Sequence, residues 1–496
     1  MNLRRNSLTE AAAPLHQQLA PRASVLLLAL VLAACSTQPP LVQPAIDVPA
    51  AFKEGIAVDA PAATDAARWK PAEPAEAQAR GEWWVAFNDP ALTQLINDAT
   101  AANASLAAAA ARVKQARAIA GIAEADRIPT VNASAGPSRG RVSPVSLGLP
   151  DNAAVAPGNF FQARLTASYE VDLFGRVSDN VNAARADSDA SAATYRSVLL
   201  SLQADVAQTY FRIRALDAEQ ALLDEAVRLR GENVRINQRR FDLGDLGELD
   251  LARAKTDLAT NRAEAFGLAR QRNQLDHALA VLLGKTPAAF SAQANPLTEA
   301  VTLPTIPAGL PSSLLERRPD IVAAQRVMVA SNARIGVARA ARFPSLTLTG
   351  DSGVESESLS NLFKWSSRTW LLGALFSLPV IDGGRHSAAV VRSEAVLEES
   401  VATYRQSVLT AFAEVEDNLA GLRILRDQAA ATDDAVIAAR RAAELSGQLY
   451  RAGSSNYLDT LDAQRNLIAN QRSAVQLRGT RATTTVALIR TLGGGW

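Results

Sequence analysis

The chain has 496 residues, enough for two or three ordinary domains or one elongated one, and its 51 Lys and Arg nearly cancel its 50 Asp and Glu. That balance excludes the strongly basic surface of a nucleic-acid partner. Three scattered histidines, His16, His277 and His386, supply neither a metal site nor a His-based catalytic centre, and no cofactor motif is present. Alanine runs through every segment and aromatics make up only 5%, a composition suited to closely packed helical walls.

At the amino terminus, Arg4, Arg5 and Arg22 precede an apolar run at 25–34, too short to span a bilayer as a stable helix. It ends in Leu32-Ala33-Ala34-Cys35, and Cys35 is the only cysteine, so no internal disulfide can form. The pattern resembles a bacterial lipobox. It implies a signal peptide at 1–34, cleavage before Cys35, and lipid (palmitate among the acyl chains) on its sulfur and new amino group. Ser36 in place of Asp implies sorting to the outer membrane. One acyl chain anchors weakly, so several chains or a second membrane element are expected.

Residues 35–82 are rich in Pro and Ala and read as an extended strap with little regular structure. Trp83-Trp84-Val85-Ala86-Phe87-Asn88-Asp89-Pro90 forms an aromatic entry to a helix over about 91–128. From there the chain is written twice. At an offset of 209, Ala193-Thr194-Tyr195-Arg196 falls on Ala402-Thr403-Tyr404-Arg405, Gly244 on Gly453, Leu249-Asp250 on Leu458-Asp459, and Leu283-Gly284 on Leu492-Gly493. Upstream the offset is 215, with Gly121 on Gly336 and Pro129 on Pro344; the difference falls in a Gly/Pro-rich loop at 136–158. Repeat one occupies 83–290, a connector 291–311, and repeat two 312–496.

Each repeat reads as helix, strand hairpin, long helix, tight turn, helix. In repeat one, alternation predicts strands at about 128–142 and 159–173. Residues 176–243 contain no proline and one glycine, Gly231, which predicts one helix about 100 Å long, followed by a second at 247–284. Repeat two predicts a helix at 312–342, strands at about 344–356 and 367–382, and helices at 386–452 and 456–491. Phe161, Leu165 and Tyr169 share one strand face with polar residues opposite, and Trp370, Leu372 and Phe376 occupy the equivalent face of repeat two. This alternation matches transmembrane barrel strands, with these six side chains toward lipid.

Two hairpins supply four strands, and open edges in hydrocarbon cost several kcal/mol per unpaired group, so closure recruits further chains. Three chains give twelve strands with room for a lumen, although closure alone does not fix the number.

Five motifs now carry a resemblance: WWVAFNDPALTQL from residue 83, YEVDLFGR at 169–176, LLERRPDIVAAQR at 314–326, ARFPSLTLTG at 341–350 and YRAGSSNYLDTLDAQR at 450–465. With them the chain resembles the TolC-like outer-membrane efflux proteins, in the OprM/NodT-type lipoprotein branch, over nearly its whole mature length. The resemblance implies a mainly α fold with a small β part. In it a homotrimer forms a 12-stranded transmembrane β-barrel continued by a long α-helical barrel in the periplasm. It also implies a passive exit duct for drugs or other small molecules. An inner-membrane pump, of the RND type, delivers them through a periplasmic adaptor. The outer component of a type I protein-secretion system is the alternative within the family. A lipid-tethered coiled-coil scaffold explains the helices but not the amphipathic hairpins, and no catalytic constellation argues for an enzyme.

On the same resemblance, Leu458, Asp459 and Asp462 match the lining of the periplasmic aperture, where three chains place rings of Asp across the opening. Asp459 and its counterpart Asp250 also suit helix caps. The turns at 243–249 and 452–457 match the adaptor contacts, with Gly244 and Gly453 ending their helices in a left-handed conformation. Arg253 stands where repeat two has Asp462, a difference that allows a restraining Arg–Asp pair.

Overall fold

The computed structural model describes residues 37–42, 44–49, 51–54, 81–298, 303–304, 306 and 311–494. The signal segment and Cys35 lie outside the described residues. After a 3-10 turn at Trp83–Phe87 come helices α1 (Pro90–Ala102) and α2 (Ala104–Ala125), strands β1 (Thr130–Gly140) and β2 (Gly158–Val171), and helices α3 (Arg176–Asp242) and α4 (Glu248–Leu282). The second half follows with α5 (Ser312–Arg317), α6 (Pro319–Ala340), β3 (Ser345–Ser356), β4 (Arg368–Ser377), α7 (Arg385–Arg451) and α8 (Tyr457–Thr491). The matched long helices α3 and α7 have 67 residues each, and α4 and α8 have 35 each.

Most boundaries lie within three residues of the sequence expectation, and three larger departures have a local cause. The helix expected over 91–128 is divided at Asn103, whose Oδ1 accepts the Leu106 N–H at 2.9 Å while its Nδ2 donates to the Leu282 carbonyl at 2.9 Å. A mid-pattern Asn thus starts a second helix and ties it to the end of α4. The helix expected over 312–342 is divided before Pro319, because the proline ring bars the preceding residue from helical geometry; Arg318 takes φ −75, ψ 117. The last strand stops at Ser377 instead of 382, two residues before Pro379, which has no N–H for a ladder.

The described residues form two compact units that cut across the repeats: those within Met1–Gln43, Ala116–Asp187 and Val327–Ser400 in one, those within Pro44–Gln115, Ser188–Arg326 and Val401–Trp496 in the other. The first holds a four-stranded antiparallel sheet in the order β1-β2-β3-β4, leaving β1 and β4 as edges. Beside it, Ala120, Ala123, Val181 and Ala184 pack as small side chains that let helices approach closely, and Phe174 stacks on Phe343 at 4.8 Å. The strap is tied here without regular structure: the Thr37 hydroxyl is shared between the Phe174 and Gly336 carbonyls at 3.0 Å each, and Asn332 Nδ2 donates to the Pro39 carbonyl.

The second unit is helical, and its main core collects Trp83, Trp84, Phe87, Leu92, Ile96, Phe211, Leu279, Val486 and Ile489. The WWVAFNDP motif explains itself in this setting. Its rings pack on one another, Trp83 edge-on to Trp84 at 5.7 Å and Phe87 tilted against Phe211 at 5.1 Å. Asp89 then caps α1, accepting from the Ala91 and Leu92 amides, and also accepts from Tyr210 Oη at 2.9 Å and Arg214 Nη1 at 2.7 Å. Burial, then that bond to Asp89, pushes the Tyr210 hydroxyl up to about 12. In the LLERRPD motif, Arg318 is buried at the helix break, donating to Asp320 and Glu414 at 2.7 Å and to the Thr491 carbonyl at 3.2 Å. Burial alone would lift the Asp320 carboxyl, but Arg318 holds it below its usual value.

Candidate functional site

The sheet joins the two hairpins into one amphipathic surface. Strand register pairs Leu165 with Ser352 and Ser352 with Trp370, Ala167 with Gly350 and Gly350 with Leu372, and Tyr169 with Leu348. Directly paired residues point the same way. The register therefore brings Phe161, Leu165, Tyr169, Trp370, Leu372 and Phe376 onto a single face that also carries Val131, Leu346 and Leu348. The other face carries Asn132, Ser134, Gln162, Thr166, Thr347, Thr349 and Asp351, and an Arg164–Glu355 ion pair at 2.5 Å. Alternation fails on β4, where Leu371 and Leu375 point to this second face and are exposed.

Each sheet exit is capped by a carboxylate. Asp172 accepts from the Val177 amide at 3.0 Å and the Ser178 amide at 2.8 Å, starting α3, and Asp382 accepts from the Gly384 and His386 amides, starting α7. The His386 amide foremost, then that of Gly384, holds the Asp382 carboxyl below its usual value. Asp179, one turn into α3, differs. It is 4% exposed and its Oδ2 finds no hydrogen-bond partner among the described residues. Burial first, and then the charge of Asp172, push its pKa up to about 6. Gly336 leaves it room: a Cβ there would stand 2.0 Å from Asp179 Oδ2.

In the helical unit, α3 and α7 end in the same way. Gly244 and Gly453 take φ +76 and +72. The amides of Asp245 and Ser454 reach back to the Arg240 and Leu449 carbonyls at 2.8 and 2.9 Å, which is the Schellman closure. After the second turn, Asn456 caps α8 by accepting the Asp459 amide at 2.9 Å, so Asp459 is not the cap. Gly247 precedes α4 with no side-chain cap, and Asp250 instead pairs with Arg253 at 3.3 Å. Leu458, Asp459 and Asp462 are exposed on α8, while Tyr457 and Leu461 are buried against Ala254, Val234 and Tyr450, and the buried Thr460 hydroxyl donates to the Ser446 carbonyl at 3.2 Å. Among the described residues Arg253 makes no ion pair with Asp462 in the same chain; Asp462 faces Arg465 at 4.0 Å.

Behind this exposed face lies a buried ionic cluster that the sequence reading did not single out. Arg230 Nε stands 2.5 Å from Asp257 Oδ2, at 4% and 3% side-chain exposure, and Arg465 Nε donates to Asp257 Oδ1 at 2.8 Å. Arg230 also donates to Gln464. Burial, against the attraction of Asp257, pulls the Arg230 guanidinium below its usual value. Arg465 touches both the buried Asp257 and the exposed Asp462, and so links the cluster to the outer carboxylates. A second tie runs from Arg240 to the Tyr450 hydroxyl at 2.7 Å, with Tyr450 against Tyr457 at 5.7 Å. The repeats hold the signal that could have found the cluster: at the 209 offset Arg230, Asp257 and Arg465 stand opposite Ala439, Asn466 and Thr256.

Comparison with known proteins places these surfaces in a family. The model for "Outer membrane efflux protein" matches residues 95–285 and 310–494. The toluene efflux pump outer membrane protein TtgC of Pseudomonas putida is 34% identical over 475 residues, covering 95% of each chain. The cation efflux system protein CusC of Escherichia coli is 32% identical over 474 residues, covering 94% of this chain and 97% of that one. Among solved structures, the Campylobacter jejuni CmeC outer membrane channel superposes with a TM-score of 0.83 at 28% identity, over 93% of this chain and 95% of that one.

Proposed function

The chain belongs to the outer membrane efflux protein family and has its TolC-like channel fold, and from that premise we propose that three copies build the exit duct of a tripartite pump. The observation that carries the trimer is the sheet: one continuous apolar face across four strands, a polar face opposite, and two open edges. In hydrocarbon those edges must pair, so β4 of one copy meets β1 of the next until twelve strands close, with the Arg164–Glu355 side toward a wet lumen. The apolar face, including Phe161, Leu165, Tyr169, Trp370, Leu372 and Phe376, then meets lipid. Lipid on Cys35 adds a second hold on the outer membrane.

In the periplasm the exposed α8 face supplies the aperture. Leu458, Asp459 and Asp462 from three copies converge there as an acidic constriction that concentrates cations and narrows the exit. The turns that hold Gly244 and Gly453, with Asp250 and Arg253 beside the first, receive the periplasmic adaptor, which couples the duct to an RND-type inner-membrane pump. One relative is named for toluene and another for cations, so the duct is passive, selection belongs to the pump, and the cargo is a small solute. The duct itself does no covalent chemistry.

The test is conductance of the purified protein in planar bilayers, with its chains counted in parallel. The expected result is a trimer with small, cation-selective openings that widen in Asp462→Ala or Arg253→Ala. A stable monomer without conductance overturns the duct. A conducting trimer in which both substitutions leave the openings unchanged removes the aperture assignment alone.

A further inference from the structure

Both hairpin loops sit at the end of the sheet away from the helices, because the chain enters β1 and β3 from helices and leaves β2 and β4 into helices. The two loops differ in chemistry. The first exposes Val142, Val145, Leu147 and Leu149. The second turns through two short 3-10 segments, Leu359–Asn361 and Trp365–Ser367, and exposes Phe363 and Trp365 at 80% and 78%. Folding does not force these rings outward at random, since the same loop buries Leu362 and is pinned by the Ser367 hydroxyl on the Asn361 carbonyl at 2.8 Å.

Two cations accompany the rings. The Arg368 guanidinium lies 3.8 Å from the centre of the Trp365 ring, and Lys364 is exposed next to it in sequence. Neither has a carboxylate partner among the described residues, although Glu355 and Glu357 lie close in sequence; Glu355 is taken by Arg164 on the opposite face. Register puts Arg368 on the face of Trp370, Leu372 and Phe376, at the outer limit of the apolar band. An unpaired guanidinium stacked on an exposed indole, just where an apolar surface ends, is complementary to an anionic headgroup above acyl chains.

We propose that Lys364, Trp365 and Arg368 form a headgroup site for a phosphorylated glycolipid of the outer leaflet. Arg368 and Lys364 take the phosphate, and Trp365 and Phe363 lie at the boundary of sugar and acyl chain. The site rests on the membrane-spanning reading of the sheet. Closing the barrel covers the β4 edge but leaves its outward face, and hence the site, open to lipid.

The experiment incorporates the full-length protein into phosphatidylethanolamine nanodiscs that contain bisphosphorylated lipid A. Lipid retained per chain is then counted by native mass spectrometry. The expected result is retention at least tenfold above that of dephosphorylated lipid A, lost in Lys364→Gln with Arg368→Gln, reduced several-fold in Trp365→Ala, and unchanged in Arg141→Gln of the first loop. Equal retention of the two lipids, or undiminished retention by the double variant, overturns the site. So does displacement by about 10 mM inorganic phosphate, which would mark a simple anion site. Bilayer conductance of the same preparations separates the two readings: a conducting protein without phosphate-dependent retention loses only the headgroup site, whereas one that does not conduct loses the duct beneath it.

Discussion

Two regions of the helical unit bury charge in opposite company. Around Asp89, Tyr210 and Arg214, every charge meets an aligned partner and the surroundings are large rings and aliphatics, with Phe211 fully buried. Around Arg230 and Asp257 the same kind of pair is set among few apolar side chains. The Arg230 Nε–Asp257 Oδ2 contact is an ion pair without hydrogen-bond alignment, and Arg230 Nη2 and Ser455 Oγ have no hydrogen-bond partner among the described residues, whereas the first region leaves only the neutral Trp84 Nε1 so. Buried polar groups left unsatisfied cost about 1–3 kcal/mol each. The first region is therefore built to stay shut, while the second holds its shape by a few ionic contacts whose loss exposes the cluster to water. A duct that must seal and yet open is served by concentrating low stability at the turns and high stability away from them.

The strongest test of that contrast is Phe211→Ala, which empties a fully packed site and is expected to remove about 3–5 kcal/mol of stability, read from guanidinium unfolding followed by helical circular dichroism. Next, Arg230→Ala leaves Asp257 buried and half-paired, at about 3 kcal/mol. Its cost should appear as faster hydrogen exchange confined to the ends of α3, α4, α7 and α8. If Arg230→Ala instead accelerates exchange around Phe211 equally, the two regions are one cooperative block and the contrast fails. Pairing Arg230→Met with Asp257→Leu should recover most of the loss, since neither charge then needs a partner.

A smaller effect carries the contrast into the sheet unit. Asp179 has a folded pKa of about 6 against an ordinary 3.8. Its contribution to stability is fully present below pH about 3.8 and is lost as pH rises through about 6. Asp179→Asn should therefore be more stable than the parent at pH 7.5 and equal to it near pH 3.5, in thermal midpoints taken across that range. The smallest change expected is Asp459→Asn. Exposed beside Leu458, with its amide already satisfied by Asn456, it should lower cation selectivity of the conductance without moving stability by more than about 0.5 kcal/mol.

Much of this architecture was legible in the residues. Glycines at 244 and 453 mark the ends of the long helices because no other residue accepts φ above +70 cheaply, and the expected ends differ from Asp242 and Arg451 by a single position. Period two alone groups Phe161, Leu165 and Tyr169 on one side of their strand and Trp370, Leu372 and Phe376 on one side of theirs, and the strand register then sets both groups on the same face. The division at Pro319 had a signal too, since the residue before a proline is turned away from helix. The division at Asn103 did not: an Asn inside an alanine-rich run becomes a helix start only because the Leu282 carbonyl is there to receive its side chain.

The sequence by itself determined the repeat, the element lengths, the amphipathic hairpins and the turn chemistry, because each depends on residues within a few positions of one another. Only the tertiary structure decided which charges meet. Asp257 finds Arg230 in the preceding long helix and Arg465 in the other repeat, and Arg318 joins Asp320 to Glu414 and the Thr491 carbonyl. Such pairs are selected by packing geometry and desolvation, which act on neighbours in space that a linear spacing does not encode.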